Sequence, residues 1–337
     1  MHALVCNKPG DLELQSRPGP IRRPDEVLVR PLRVGICGTD YHIYEGKHPF
    51  LQYPRVMGHE LAVEVIEAPY GMGHVPGDVC VVNPYLSCGV CIACRAGKPN
   101  CCTRISVLGV HRDGGMASLL SLPAGNLIAA EGLTLDACAT VEFLAIGAHA
   151  VRRSGARTDH RALVIGAGPI GLGVALFAAI SGVRVAILDL DQSRLAVAQE
   201  IAGASPIQAG EGAIEAVASL TAGEGFEVVF DATGNALSMQ NGFDFVAHGG
   251  TYVLVSVVKE TIKFADPDFH RKEMSLLGSR NATAEDFGRV IDAIRQGRVP
   301  VNKVITHRTT LAEAVHHIPV LATQKHGLIK GVIMMDV

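Results

Sequence analysis

The chain has 337 residues, 48% of them apolar and 19% charged, with a formal net charge of −3. At roughly 100–200 residues per domain this is material for two cores, and the slightly negative balance argues against a general nucleic-acid or anionic-membrane binder. The nine cysteines are an odd number, four of them cluster, and no signal peptide precedes them; a reducing cytoplasm fits this better than a disulfide scaffold.

Residues 1–148 read mainly as β structure. Strands are expected at Glu26–Val34, His59–Glu67 and Asp78–Asn83, punctuated by Pro69–Gly73 and Pro76–Gly77. Cys37 lies in Gly35-Ile36-Cys37-Gly38-Thr39-Asp40, and His59 and Glu60 follow Gly58. Glu142 opens a helix leading into the second domain. A thiolate, an imidazole and a carboxylate can hold zinc and leave a position for water or an alcohol. Taken singly, each residue has a plainer reading: Cys37 a small buried hydrophobe, His59 a core histidine, Glu142 a helix N-terminal acid.

Cys88, Cys91, Cys94 and Cys102 form a C-x2-C-x2-C-x7-C run. Four thiolates can close a tetrahedron around zinc with no open position, which makes this a structural site. Cys101 is an alternative to Cys102 on spacing alone.

Near residue 160 the pattern changes to strands alternating with helices. Strands are expected at Ala162–Ile165, Val183–Leu188, Val228–Phe230 and Thr251–Val255. Helices are expected at Pro169–Ser181, Ser193–Ala202, Ala213–Leu220, Leu237–Val246 and Ala284–Gln296. That alternation predicts a parallel sheet covered on both faces. Ala162–Val183 carries no charge, but its glycines and Pro169 read as strand, turn and helix rather than a membrane span. Gly166-Ala167-Gly168-Pro169-Ile170-Gly171 matches G-x-G-x-x-G in that context, and Asp189 ends the next strand. Pyrophosphate would approach the backbone amides of the turn, and Asp189 would accept from the adenosine ribose, favouring NAD over NADP. Arg194 is either a ribose or pyrophosphate contact or a solvated helix residue. The tail carries a short helix near Leu311–His317 and a strand near Leu328–Met334, which are expected to return to the first domain.

Together with Asp231-Ala232-Thr233-Gly234, these motifs give the chain a resemblance, nearly end to end, to the zinc-containing medium-chain dehydrogenases, the alcohol and polyol dehydrogenase family. Glu142 places it on the sorbitol, threonine and sugar-acid side. Ile105–His111, Asp113-Gly114-Gly115 and Gly278–Thr283 are similar to bacterial L-galactonate 5-dehydrogenases. The resemblance implies an α/β protein: a GroES-like catalytic domain at 1–148 with a zinc lobe at about 84–104, a Rossmann domain at 149–281, and a return at 282–337. It implies two zinc ions, one structural and one catalytic. Cys37 and His59 would be ligands of the catalytic ion, and Glu60 and Glu142 would alternate between ligation and holding water there. Thr39 would pass the substrate proton and His42 would carry it outward. Thr233 and Arg280 would contact the coenzyme, with Arg280 also able to meet a sugar-acid carboxylate. His48, His111 and Tyr41 are candidate donors to polyol hydroxyls. The implied substrate is a small alcohol, polyol or sugar acid, and the implied assembly a homodimer or homotetramer. The alternatives are a threonine 3-dehydrogenase or a general alcohol dehydrogenase and, in another class, a silent nucleotide-binding protein. Two departures stand out: Phe143 occupies a position where the family usually has Pro, and the loop Pro69–Pro76 is short.

Overall fold

The computed structural model describes residues 1–47, 51–323 and 327–335. The chain forms two compact units, Met1–Glu142 with Thr283–Val337, and Phe143–Ala282.

The first unit is built on a seven-stranded mixed sheet. In spatial order its strands are Leu127–Ala129, Val79–Val82, Glu60–Glu67, Glu26–Ile36, Lys330–Met334 and Ile305–Thr310, and Leu120–Pro123 pairs with the start of Glu26–Ile36. These segments are rich in Val, Ile and Leu, which suit a pleated surface buried against a core. Val34, Met57, Leu61, Leu122 and Ile333 are all essentially inaccessible, each burial contributing roughly 1.5–3 kcal/mol. The tail does return: Lys330–Met334 runs antiparallel to Glu26–Ile36 with Ile36 opposite Gly331. On the other side of Glu26–Ile36, Gly35 lies opposite Glu60. Three segments remote in sequence thus meet where the central strand runs into Cys37.

The tail helix differs from expectation, spanning Ala314–Thr323 with Pro319 inside it. Ala314, Ile318 and Ala322 form one buried face, and that i, i+4, i+8 burial outweighs the bond that proline forfeits.

The second unit contains a six-stranded, wholly parallel sheet. Its order is Ser205–Gln208, Arg184–Asp189, Arg161–Ile165, Phe226–Asp231, Val246–Leu254, Ser275–Gly278. In chain order that is 3-2-1-4-5-6, the doubly wound dinucleotide-binding arrangement. The charge-free stretch resolves into the strand Arg161–Ile165, a turn and the helix Pro169–Ile180. Among the described residues no helix is long and apolar enough to cross a membrane. The helix expected at Leu237–Val246 is shorter: Ala236–Asn241 is α-helical, Gly242–Phe245 is a 3-10 turn, and Val246 opens a strand. Gly242 lies against Tyr252, whose hydroxyl oxygen would be 2.1 Å from an added Cβ.

Gly147 in the helix Val141–Ser154 meets the helix Pro169–Ile180 backbone to backbone: an added Cβ would be 2.4 Å from the carbonyl carbon of Gly173. Such overpacking costs about 1–3 kcal/mol. Gly147→Ala is therefore expected to lower the thermal midpoint, and an unchanged midpoint in calorimetry would contradict this packing.

Candidate functional site

Cys37 ends the strand Glu26–Ile36 and caps the helix Gly38–Tyr44. Its backbone N–H donates to Asp40 Oδ2 at 2.8 Å, and the N–H of Gly58 donates to Asp40 Oδ1 at 3.3 Å. One fully buried carboxylate thereby ties the segment carrying Cys37 to the segment carrying His59. Gly58 has φ +93, a left-handed conformation in which a Cβ would also strike Val34 and Met116. The ligand atoms of Cys37, His59 and Glu60 all lie within 4.8 Å of one another.

Glu142 stands outside that trio, but its charge acts on His59 and the charge of Glu60 acts on it. Its Oε1 accepts a short hydrogen bond from the Tyr85 hydroxyl, while its Oε2 is buried with no hydrogen-bond partner among the described residues. His59 Nδ1 is in the same condition. Glu60 is paired with Lys330, whose Nζ lies 2.7 and 2.8 Å from the two carboxylate oxygens. Glu60 fits there because residue 35 is glycine: a Cβ would sit 2.1 Å from Glu60 Oε2. Buried polar atoms without partners, beside a thiol and a carboxylate, are what a bound cation would satisfy. The donor set suits zinc.

The second cluster lies in the lobe after Val82. The sulfurs of Cys88, Cys91, Cys94 and Cys102 fall within 4.8 Å of one another. Cys102 Sγ accepts from the N–H groups of Cys88 and Arg104, each at 3.3 Å. Backbone donation from Cys94 is the largest influence holding the Cys91 thiol below its ordinary pKa, which favours the thiolate that a metal needs. Cys101 is exposed and lies outside this group.

In the second unit the turn Gly166–Gly171 connects strand to helix. Gly171 needs to be glycine for packing, since a Cβ would lie 1.8 Å from the Gly166 carbonyl oxygen; Gly168 has nothing within 4 Å of that position. The open face at Gly168 is a cradle that a side chain would fill, and Pro169 and Ile170 begin the helix behind it. Asp189 Oδ2 accepts from Ala167 N–H at 2.6 Å, which holds the carboxylate beside the turn. These residues fit a dinucleotide.

Residues 23–132 match the alcohol dehydrogenase GroES-like domain, and residues 169–296 match the zinc-binding dehydrogenase domain. L-galactonate-5-dehydrogenase of Escherichia coli strain K12 is 39% identical over 340 residues, covering 99% of this chain and 98% of that protein. The chain belongs to the zinc-binding alcohol dehydrogenase family. It is an oxidoreductase of that family. The rspB alcohol dehydrogenase of Escherichia coli CFT073, solved with NADH, superposes with a TM-score of 0.92 at 29% identity over 99% of each chain. A zinc-binding dehydrogenase of Sinorhizobium meliloti 1021, solved with NADP, gives 0.90 at 26% identity, covering 99% of this chain and 98% of that one.

Within this dehydrogenase the other expected residues are placed as follows. Thr39 and His42 are an i, i+3 pair on the helix Gly38–Tyr44, Thr39 half-buried and His42 exposed. Thr233 is exposed at the end of Phe226–Asp231, its hydroxyl donating to Asp231 Oδ1 at 2.8 Å. Arg194 is half-buried and 4.0 Å from Asp191, and Arg280 is exposed beyond Ser275–Gly278. Tyr41 is buried, and exposed His111 accepts from Val107 N–H at 3.1 Å. His48 lies outside the described residues. Phe143 is fully buried.

Sequence reading missed Lys330, Tyr85 and Ser279. Lys330 left a signal, a lone charge in the apolar run Leu328–Met334, since lysine is almost never fully buried unless paired. Tyr85 left none. Ser279 Oγ is buried without a partner among the described residues, just beyond Ser275–Gly278, on the side where parallel sheets bind ligands.

Burial alone would lower the pKa of His59, but the Cys37 thiolate, with Asp40 and Glu142, outweighs it and raises the value. Burial first, then the charge of Glu60, pushes Glu142 from its ordinary 4.5 to about 7. In metal-free protein Glu142 therefore binds more protons folded than unfolded between those two values. Its own contribution to stability is lost as pH rises through that window. Thermal unfolding of chelator-treated protein from pH 4.5 to 7 is expected to show wild type losing stability relative to Glu142→Gln as pH rises; parallel curves would contradict the assignment.

Proposed function

We propose that this dehydrogenase uses NAD to oxidise a secondary hydroxyl of a polyol or sugar acid, in the manner of an L-galactonate 5-dehydrogenase. The observation that carries the reading is the half-satisfied cluster of Cys37, His59, Glu60 and Glu142, with buried polar atoms that lack partners among the described residues beside a thiol. Cys37, His59 and one of the two glutamates would hold zinc, and Cys88, Cys91, Cys94 and Cys102 a second, structural ion. The catalytic zinc would supply Lewis acidity, making a hydroxyl acidic enough to lose its proton near neutral pH. NAD bound at Gly166–Gly171 would accept the hydride.

The chain's own residues do the rest. Thr39 Oγ1 would accept the substrate proton, and His42, one turn away and exposed, would pass it to solvent. Asp40 holds the two ligand-bearing segments together through backbone amides. Asp189, fixed by Ala167 N–H, would accept from the ribose hydroxyls and repel a 2′-phosphate. Arg280, on the exposed segment after the last parallel strand, would pair with the acid's carboxylate or with the coenzyme. The sugar-acid preference is supported by the 39% identity to L-galactonate-5-dehydrogenase over nearly the whole chain.

Two measurements test this. In a panel of L-galactonate, L-gulonate, sorbitol, xylitol, L-threonine and ethanol followed by NADH absorbance, kcat/KM is expected to be highest for a sugar acid or polyol. Preference for ethanol would remove the polyol reading, and preference for L-threonine would favour the amino-alcohol alternative. Cys37→Ala and His59→Ala are expected to lose at least about 10³-fold in kcat, the scale of losing metal assistance, while NAD still binds. Separately, Gly168→Ala is expected to keep the thermal midpoint, because a Cβ there meets nothing, and to weaken NAD binding in a fluorescence titration.

A further inference from the structure

Glu60 could balance its charge on a bound cation, yet both its oxygens already accept from a lysine. Lys330 Nζ donates to them at 2.7 and 2.8 Å and to the carbonyl oxygen of Ile36 at 3.3 Å. An ammonium group carries three donors, enough to serve these three acceptors. Neither side chain reaches water, with exposures of 2% for Lys330 and 0% for Glu60. The pair is built in from both ends. Gly35 opposite Glu60 clears the space for the carboxylate, and the register that sets Gly331 opposite Ile36 brings the adjacent Lys330 to it.

A fixed positive charge here works against a metal site. It repels the cation and competes with it for Glu60. An apolar residue at 330 would leave both oxygens to the metal, but would also leave a buried carboxylate uncompensated whenever the metal is absent. We infer that Lys330 is a positioning residue that serves as the stand-in cation of this site. It holds Glu60 in place in the metal-free protein, and it restrains Glu60 from full ligation in the loaded one. Metal affinity is thereby set below what the ligand set alone would give, and Glu60 reaches the metal only by leaving the ammonium. The inference rests on the metal reading proposed above and deepens it.

The test is zinc affinity by competition with a chromophoric chelator at pH 8, together with the thermal midpoint of chelator-stripped protein. Lys330→Met and Lys330→Gln are expected to bind zinc at the Cys37 site about tenfold tighter or more, the scale of removing a charge at contact range in a protein interior. Their metal-free forms are expected to melt lower than wild type. Lys330→Arg, which keeps the charge, is expected to match wild type in both measurements. Adding Glu60→Gln to Lys330→Met is expected to recover the metal-free midpoint and abolish the gain in affinity. A wild type that holds two zinc ions while Lys330→Gln binds zinc equally or more weakly overturns this inference alone. A wild type that holds only the ion of the cysteine cluster overturns the metal reading and this inference with it. Should neither single variant fold, the Glu60→Gln/Lys330→Met pair decides: its folding supports the pairing and its failure overturns it.

Discussion

Four groups that are negative when ionised, Cys37, Asp40, Glu60 and Glu142, converge with one imidazole and one ammonium where little water reaches. Charge in such a place has to be balanced by neighbours, because the desolvation penalty of an isolated ion exceeds the stability of a whole domain. Each acid has its own solution. Asp40 accepts from two backbone amides, Glu60 faces a lysine, and Glu142 takes a tyrosine hydroxyl on one oxygen only. Glu142 Oε2 and His59 Nδ1, without hydrogen-bond partners among the described residues, lie in the same cluster as the Cys37 thiol. A divalent cation would draw on that remainder.

Strand register delivers these groups. The central strand Glu26–Ile36 is flanked by Glu60–Glu67 and by the last strand of the chain, so Cys37, Glu60 and Lys330 come together from three remote stretches of sequence. A one-residue slip of either neighbour would turn Glu60 or Lys330 to the opposite face. Gly35 and Gly58 serve the same end by different means, one by leaving room for a carboxylate and the other by adopting positive φ before His59. In the second unit the glycines of the turn also divide their work: Gly171 permits close packing, and Gly168 keeps a surface open.

Much of the fold was legible because local chemistry dictated it. The expected strands Glu26–Val34 and His59–Glu67 and the helices at Pro169 and Ala284 form within a few residues of their predicted bounds. Their hydrophobic periods and breakers agree with their tertiary surroundings. Two helices differed, and in each a long-range contact overrode a local signal. Gly242 had to accommodate Tyr252, and the face Ala314-Ile318-Ala322 buried itself despite Pro319.

The sequence by itself determined the family, the four-cysteine spacing and the Gly-rich turn, because each lies in one short stretch where spacing alone dictates geometry. It also named Cys37, His59, Glu60 and Glu142, whose motifs carry that chemistry. Tertiary structure alone decided how those acids are balanced. It chose Cys102 over its neighbour for the cysteine cluster, gave Tyr85 to Glu142, and brought a lysine from the far end of the chain to Glu60. Neither of the last two pairings has a local period or motif; each joins segments remote in sequence, because a buried charge needs a partner wherever the fold can supply one.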